Sequence, residues 1–588
     1  MGPSSAPDAP SNGVPRLAHS LTLSSGAVFA TSISIQLIGF VGSFFLMHRI
    51  GAPPGGQALL GTAQLFLLIG SSINGVGDLR LGSAYCYFLA RGKPPQENTA
   101  TYLGLRLSMV GAAGLVLFVF APLSFGGLGA IAQGGTQLTS LGIFLTLPLL
   151  WTFSTVYNQM YIGLGNSLRA QFPSLIEALV RLPVLIYVAF TFTTGSGAIL
   201  GVTVAYAIGA AASALFSLPT VLPRVRGFRR SEASHLFRYA WPLMGSLLLG
   251  YLVTNMIPLI VATLGRDQLS IFLAANGWRI LVLSVPGAVT TPLFPYLAGL
   301  HQREEYESVR RGTWQALRYS AMLLVPGVIA LVTYRFNFLN DFAGLNYAQP
   351  GNIPLAILAA GALPLALSQI MQSSINAIGR QRLELYITST QVGVLFATVA
   401  LVMPPWGLLR IFSPDDGLIA AAIAVLVSSA ASLALNTYFM ESLIRVHIRP
   451  GPIVAITGSA AGSFGVLWLF TSSHSRLQLL PVNGGLQLFL AVLLGFGVYF
   501  LILAGVGELT RNDVRTIARS LGLPARLYEP VARVCWRESA PDLAPIDLAR
   551  APGLRATELP GTFTGTREMP DLAPPLPDQE PPDPRARP

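Results

Sequence analysis

Fourteen apolar stretches, each about as long as a bilayer is thick, decide what this chain can become. They begin near Leu21, Ala58, Tyr102, Leu138, Phe172, Ala198, Phe237, Leu269, Tyr319, Ile353, Leu383, Leu418, Ile453 and Leu486. Roughly 20 apolar residues in a helix cross about 30 Å of hydrocarbon. A segment in lipid must satisfy its own backbone hydrogen bonds, which leaves the α-helix as the conformation of each. Composition agrees, with 52% of the residues hydrophobic and only 11% charged, so the bilayer is this chain's solvent. The expected fold class is an all-α integral membrane protein of about 14 transmembrane helices.

The stretches repeat. Gly51 after the first lines up with Gly265 after the seventh, and Gly165 after the fourth with Gly379 after the tenth, both 214 residues apart. The loop after the second stretch reads Arg91-Gly-Lys-Pro-Pro-Gln-Glu and the loop after the eighth His301-Gln-Arg-Glu-Glu-Tyr-Glu, and at the offset of 214 Glu177 and Arg181 face Gln391 and Leu395. Two lobes of six helices are therefore expected. Six is even, so both enter the membrane in one orientation and form a parallel repeat. The expected boundaries are an N-terminal tail over 1–20, an N-lobe over 21–222, a basic linker over 223–236 and a C-lobe over 237–447. Two extra C-terminal helices follow over 448–508. Thr510-Arg-Asn-Asp513 has the form of a capping box with Asp in the usual Glu position. It opens a basic amphipathic stretch over 509–538, expected to lie on the membrane surface. The Pro-rich segment 539–588 has no periodicity and is expected to be disordered.

Net charge is +11, from 36 Arg and one Lys, Lys93, against 26 acidic residues. Topology accounts for this balance without a nucleic-acid partner. Seventeen basic residues, Arg106, Arg318, Arg380 and Arg382 among them, fall in or beside loops after even-numbered stretches, and five after odd-numbered ones. The positive-inside rule then puts both termini in the cytoplasm. The first fifteen residues carry no basic n-region, so no cleaved signal peptide is expected. Cys86 and Cys535 fall on the cytoplasmic side, where a disulfide is not expected. No Walker A motif and no metal-spaced Cys/His cluster occurs, so neither ATP hydrolysis nor a cofactor is expected. Asp415-Asp416 beside Ser413-Pro414 reads as a turn.

In order along the chain stand Arg49-Ile-Gly-Ala-Pro-Pro-Gly-Gly-Gln, Gly75-Val-Gly-Asp-Leu-Arg-Leu-Gly82, Tyr239-Ala-Trp-Pro242, Leu269-Ser-Ile-Phe-Leu-Ala-Ala-Asn-Gly-Trp-Arg279 and Pro286-Gly-Ala-Val-Thr-Thr-Pro-Leu-Phe-Pro295. Over roughly Leu21 to Gly507 the chain thereby resembles polysaccharide-unit flippases of the multidrug/oligosaccharidyl-lipid/polysaccharide exporter superfamily. The resemblance implies a two-lobed secondary transporter, not an enzyme, in a bacterial-type cytoplasmic membrane. It would move a lipid-diphosphate-linked oligosaccharide by alternating access, for cell-surface polysaccharide biosynthesis. The partners implied are that lipid-linked glycan, membrane lipids, and a glycan polymerase or glycosyltransferases. The oligomeric state is open, and a monomer satisfies the sequence. Peptidoglycan-precursor flippases of this superfamily usually carry arginines in the first span, and Leu21 to Met47 has none, which leaves a peptidoglycan lipid-precursor flippase as a lesser alternative. A cation-coupled multidrug exporter is the alternative within the superfamily. An integral-membrane glycan polymerase is a further one, weakened by the lack of a large external loop.

A diphosphate crossing the bilayer needs fixed cations in a wet cavity. Arg279, about ten residues and so about 15 Å into its stretch, is the leading candidate; a structural arginine satisfied by carbonyls is the alternative. Its repeat mate is Leu65, so helix geometry does not demand an arginine there. Asn276 is one turn away and a candidate to hydrogen-bond the cargo. Glu177 and Arg181 share a helix face at i,i+4. They are either a self-neutralising structural pair, or an ion-coupling carboxylate beside a phosphate contact. Arg80 either greets the headgroup at the cytoplasmic end or snorkels to the interface. Pro242, Pro258, Pro286 and Pro364 are placed to hinge helices.

Overall fold

The computed structural model describes residues 34–515 apart from 54, 91–93, 125–134, 165, 193–194, 226, 303, 405–406, 410–411, 414–415, 446–449, 472–483 and 512, and also residues 31 and 529. They belong to one compact unit, Ser20–Ile546. Expectations for the tails 1–20 and 539–588, for Gly165, Asp415 and Cys535, and for nearly all of 516–538 fall outside the described residues.

Among the described residues every regular element is helical. In the first copy of the repeat these are α1 (Ser34–Gly51), α2 (Gly56–Asp78), α3 (Leu81–Ala90), α4 (Pro95–Ser124), α5 (Gly135–Gly163), α6 (Ser167–Ala170), α7 (Phe172–Thr191) and α8 (Ser196–Val221). In the second they are α9 (Arg230–Leu264), α10 (Arg266–Gln302), α11 (Tyr306–Thr333), α12 (Arg335–Ala343), α13 (Leu345–Ala377), α14 (Gln381–Val402) and α15 (Gly417–Ile444). Then come α16 (Pro450–Thr471) and α17 (Gly485–Val506). Thirteen of these helices, among the described residues, are long and apolar enough to cross a membrane. The eighth expected stretch lies in α10, whose 37 residues extend about 55 Å at about 1.5 Å per residue.

Each copy uses the same neighbours. In the first, α2 packs along α4 and α5, and α8 along α5 and α7. In the second, α10 packs along α11 and α13, and α15 along α13 and α14. These are the pairings the offset of 214 requires. The pair α16 and α17 packs on itself and against α11.

Lipid gives two helices no hydrophobic reason to associate, so close packing and hydrogen bonds must do it. The largest apolar cluster joins both copies: Leu65, Phe66 and Phe144 from the first, Leu269, Phe272, Leu339, Tyr347 and Leu355 from the second. Gly61 lets α2 approach the Arg266 carbonyl so closely that a Cβ would overlap it. Between α13 and α15 the Ser368 and Ser432 hydroxyls lie 2.7 Å apart, and Asn436 Nδ2 donates to Ser368 Oγ at 2.7 Å.

The capping box after α17 is formed as its sequence suggests. Thr510 N donates to Asp513 Oδ2 at 3.0 Å, and Asp513 N to Thr510 Oγ1 at 3.2 Å. Asp513 is also buried against α11, where Arg318 pairs with it at 3.1 Å and the Tyr319 hydroxyl donates to it at 2.8 Å. Arg318 counts in the sequence as one more cytoplasmic charge; in the fold it is a buried anchor for the chain after α17.

Candidate functional site

Arg279 lies about 20 Å from the start of α10 at about 1.5 Å per residue. Its Nη1 donates to Asn276 Oδ1, one turn earlier, at 3.0 Å. Among the described residues no carboxylate pairs with it, and its buried Nε has no acceptor. The preceding residue fixes the helix in place. Trp278 packs against Phe40 of α1 (ring centroids 4.5 Å apart) and against Phe338 (4.6 Å) and Phe342 (5.4 Å) of α12. Three helices from both copies thus meet at the residue before Arg279. A half-buried cation with one neutral partner retains most of its capacity to take an anion.

Glu177 and Arg181 pair at 3.1 Å on α7, as their spacing implies. The Arg181 guanidinium lies 4.5 Å over the Tyr206 ring of α8, and the Trp151 side chain of α5 lies near the Glu177 carboxylate. Gly209 sits against the Arg181 Cβ and the Glu177 carbonyl. Both charges are therefore spent on α5 and α8. Among the described residues no hydrogen bond or ion pair links them to Arg279 or Asn276.

Arg80 follows α2 in a left-handed turn, with Leu79 at φ 39° and Arg80 at φ 61°. Its Nη2 lies 3.7 Å from Glu384 Oε1 in the first turn of α14, and Glu384 also accepts from Asn376 Nδ2 at 2.7 Å. The candidate residues thus occupy three places: Arg279 with Asn276, Arg181 with Glu177, and Arg80 with Glu384.

Two features escape a reading of the sequence. Arg106 reads there as a loop charge, yet in α4 it is fully buried and paired with Asp78. Its Nη2 donates to Asn74 Oδ1 at 2.8 Å and to Thr155 Oγ1 at 3.1 Å, and the Tyr102 hydroxyl donates to Asp78 at 2.9 Å. The repeat held the signal, for Arg106 stands opposite Ser320 and Asp78 opposite Pro292. The second feature is a cavity of about 940 Å³ where α9, α14 and α15 converge, with Arg380 and Arg382 in its wall.

Known proteins supply the wider frame. Residues 167–349 match the family model of a polysaccharide biosynthesis protein. Among curated proteins, the probable low-salt glycan biosynthesis flippase Agl15 of Haloferax volcanii is 22% identical over 46% of this chain and 53% of its own length. The probable flippase AglR of the same organism is 25% identical over 42% and 49%. The chain thus matches about half the length of each. Among solved structures, the lipid II flippase MurJ in an inward closed conformation superposes with a TM-score of 0.64, at 11% identity, over 82% of this chain and 98% of that one. An inward-facing multidrug resistance transporter of the MATE family, from the MOP superfamily, gives 0.55 at 15% identity over 70% and 94%. At such identities the structural likeness speaks for the fold alone. These relatives are named flippases and transporters, not enzymes. This multi-pass membrane protein thus has the fold of these transporters, and its middle third is similar in sequence to a polysaccharide biosynthesis protein family.

Proposed function

We propose that this protein flips a lipid-diphosphate-linked oligosaccharide across a bacterial-type cytoplasmic membrane, with both termini in the cytoplasm. Two six-helix lobes, 21–222 and 237–447, would alternate access around Arg279, which holds the diphosphate while Asn276 bonds to it or to the first sugar. A glycan polymerase or glycosyltransferases would work on either side of this step. The observation that carries the reading is the half-buried Arg279 side chain in α10, whose buried Nε has no acceptor and whose one partner among the described residues is Asn276. An arginine at the middle of a span costs at least about 2.5 kcal/mol on insertion scales, and nothing in the repeat demands it. The names of the Haloferax volcanii relatives, a glycan biosynthesis flippase among them, point the same way.

The test is depletion and complementation. Depletion should strand lipid-linked glycan on the inner leaflet, and an Arg279→Gln allele should fail to restore export. A charge-assisted hydrogen bond is worth about 1.5–3 kcal/mol, so the loss should be about ten- to a hundredfold at normal membrane level, with Arg279→Lys intermediate. A purely structural arginine predicts unimpaired export by the glutamine variant whenever it inserts. If glycan reaches the outside at its normal rate after depletion, the function is wrong.

A further inference from the structure

The geometry points to a second cationic site, at the cytoplasmic end of the second copy, which takes the diphosphate headgroup of a lipid from the inner leaflet before it reaches Arg279. The site is the cavity of about 940 Å³ bounded by Ser246 of α9, by Arg380 and Arg382 at the turn into α14, and by Tyr438, Phe439 and Leu443 of α15. Three observations converge on it. Arg380 and Arg382 enter no ion pair among the described residues. The nearby carboxylate, Glu384, is held by Arg80 and Asn376, so the local charge stays positive. The wall on α15 is apolar and open to the lipid, with Tyr438 66% and Leu443 39% exposed. A cation pair at headgroup level beside a lipid-facing apolar wall suits an anion that carries a chain, since the head can bind without the tail leaving the membrane.

The repeat argues that the arginines are there for a purpose beyond helix geometry. Their first-copy mates are Asn166 and Leu168, and Asn166 simply accepts the Arg169 amide at 3.2 Å. Snorkelling basic residues are common near interfaces, but a topological charge needs no cavity of this size beside it. The site rests on the proposed function only for the identity of the bound lipid; its existence can be tested without transport.

Binding should be measured by native mass spectrometry on full-length protein in phosphatidylcholine nanodiscs. An Arg279→Gln background removes the central site from the measurement. The probes are a polyprenyl diphosphate, the matching polyprenol, phosphatidylglycerol and inorganic pyrophosphate. The diphosphate should bind at least tenfold more tightly than each of the other three, and R380Q/R382Q should lose that advantage. R380K/R382K should keep most of it. Ser442→Trp, which narrows the cavity and leaves both arginines, should weaken binding as the double glutamine variant does, so a folding defect in one does not leave the question unanswered. Equal binding of phosphatidylglycerol makes the site a generic lipid contact, equal binding of pyrophosphate makes the lipid irrelevant, and unchanged binding in R380Q/R382Q empties the site; each result overturns the inference. None of them touches the depletion experiment, which judges the flippase reading by itself.

Discussion

Glu177 and Arg181 are each held from two sides, and this sets what either can do alone. The carboxylate has Arg181 at 3.1 Å and the Trp151 side chain nearby. The guanidinium has Glu177 and the face of Tyr206. A carboxylate that binds and releases a coupling cation would have to leave this arrangement at each cycle. Removing one member of a buried pair costs about 3–5 kcal/mol because the other charge is stranded; with 16–17% of each side chain still exposed, about 1–3 kcal/mol is expected. Glu177→Gln should therefore lower the melting temperature in detergent. Glu177→Gln/Arg181→Leu, which installs the pair found at the repeat position, should recover most of it. If the single variant instead melts normally and exports with altered ion dependence, Glu177 is a coupling site. The charges that matter at this scale were only partly legible. The repeat offset singles out Arg279, Glu177 and Arg181 because their mates are neutral, and the same comparison flags Arg106 and Asp78. That Arg106 is buried against Asp78, Asn74 and Thr155 depends on three helices meeting, which linear spacing does not encode.

Helices were the most legible part of the chain, because lipid leaves the backbone no alternative. The reason α2 and α10 meet where they do was less so. Gly61 is one of many glycines in the sequence, and only the fold shows that its missing Cβ admits the Arg266 carbonyl. The opposing atom is backbone at the start of a long helix, so it cannot rotate away as a side-chain tip would. Gly61→Ala should force the two helices apart, at the upper end of the about 1–3 kcal/mol typical of overpacking. Gly142→Ala is the control, since its Cβ would meet nothing within 4 Å, and it should be neutral. Thermal melting of the two variants side by side decides the matter; equal melting would mean that this crossing has room to relax. Of the short helices, α3 was invisible in the sequence because it continues the apolar pattern of α2, and α12 because Arg335, Asn337, Asn340 and Asp341 make it read as a loop between spans. The prolines expected to act as hinges, Pro242, Pro258, Pro286 and Pro364, lie within continuous helices, so any hinging there is a property of motion rather than of this conformation.

For the whole molecule, the two copies touch at both ends of the membrane, and the two closures differ in kind. At the end expected to face outward, Asn346 Nδ2 donates to the Ala52 carbonyl and Gln57 Nε2 to the Asn346 carbonyl, both at 2.9 Å. Beneath them the buried Tyr347 lies over Gly51, its hydroxyl 2.9 Å from that of Ser270. At the end expected to face the cytoplasm, the Arg80–Glu384 pair is 3.7 Å long and Arg80 is 38% exposed. An exposed pair of this kind is worth about 0–1 kcal/mol, and it is presented by two non-glycine residues in the left-handed region, itself a cost of about 1–2 kcal/mol each. The ion pair therefore adds little to the inner closure, which otherwise rests on the apolar packing of α9 against α2, α3 and α4. Under alternating access, Arg80→Glu should put two carboxylates face to face and shift the population toward a cytoplasm-open state. About 1 kcal/mol corresponds to roughly a fivefold change in equilibrium. A cysteine at Asn276, in a chain with Cys86 and Cys535 replaced by serine, should then react about five times faster with a membrane-impermeant maleimide applied from the cytoplasmic side. Arg80→Glu/Glu384→Arg restores opposite charges in exchanged places and should return labelling to its original rate. Unchanged labelling in the single variant, or failure of the exchange to reverse it, would mean that the halves are held at this end by the apolar packing of α9 on α2 and α3 rather than by the ion pair.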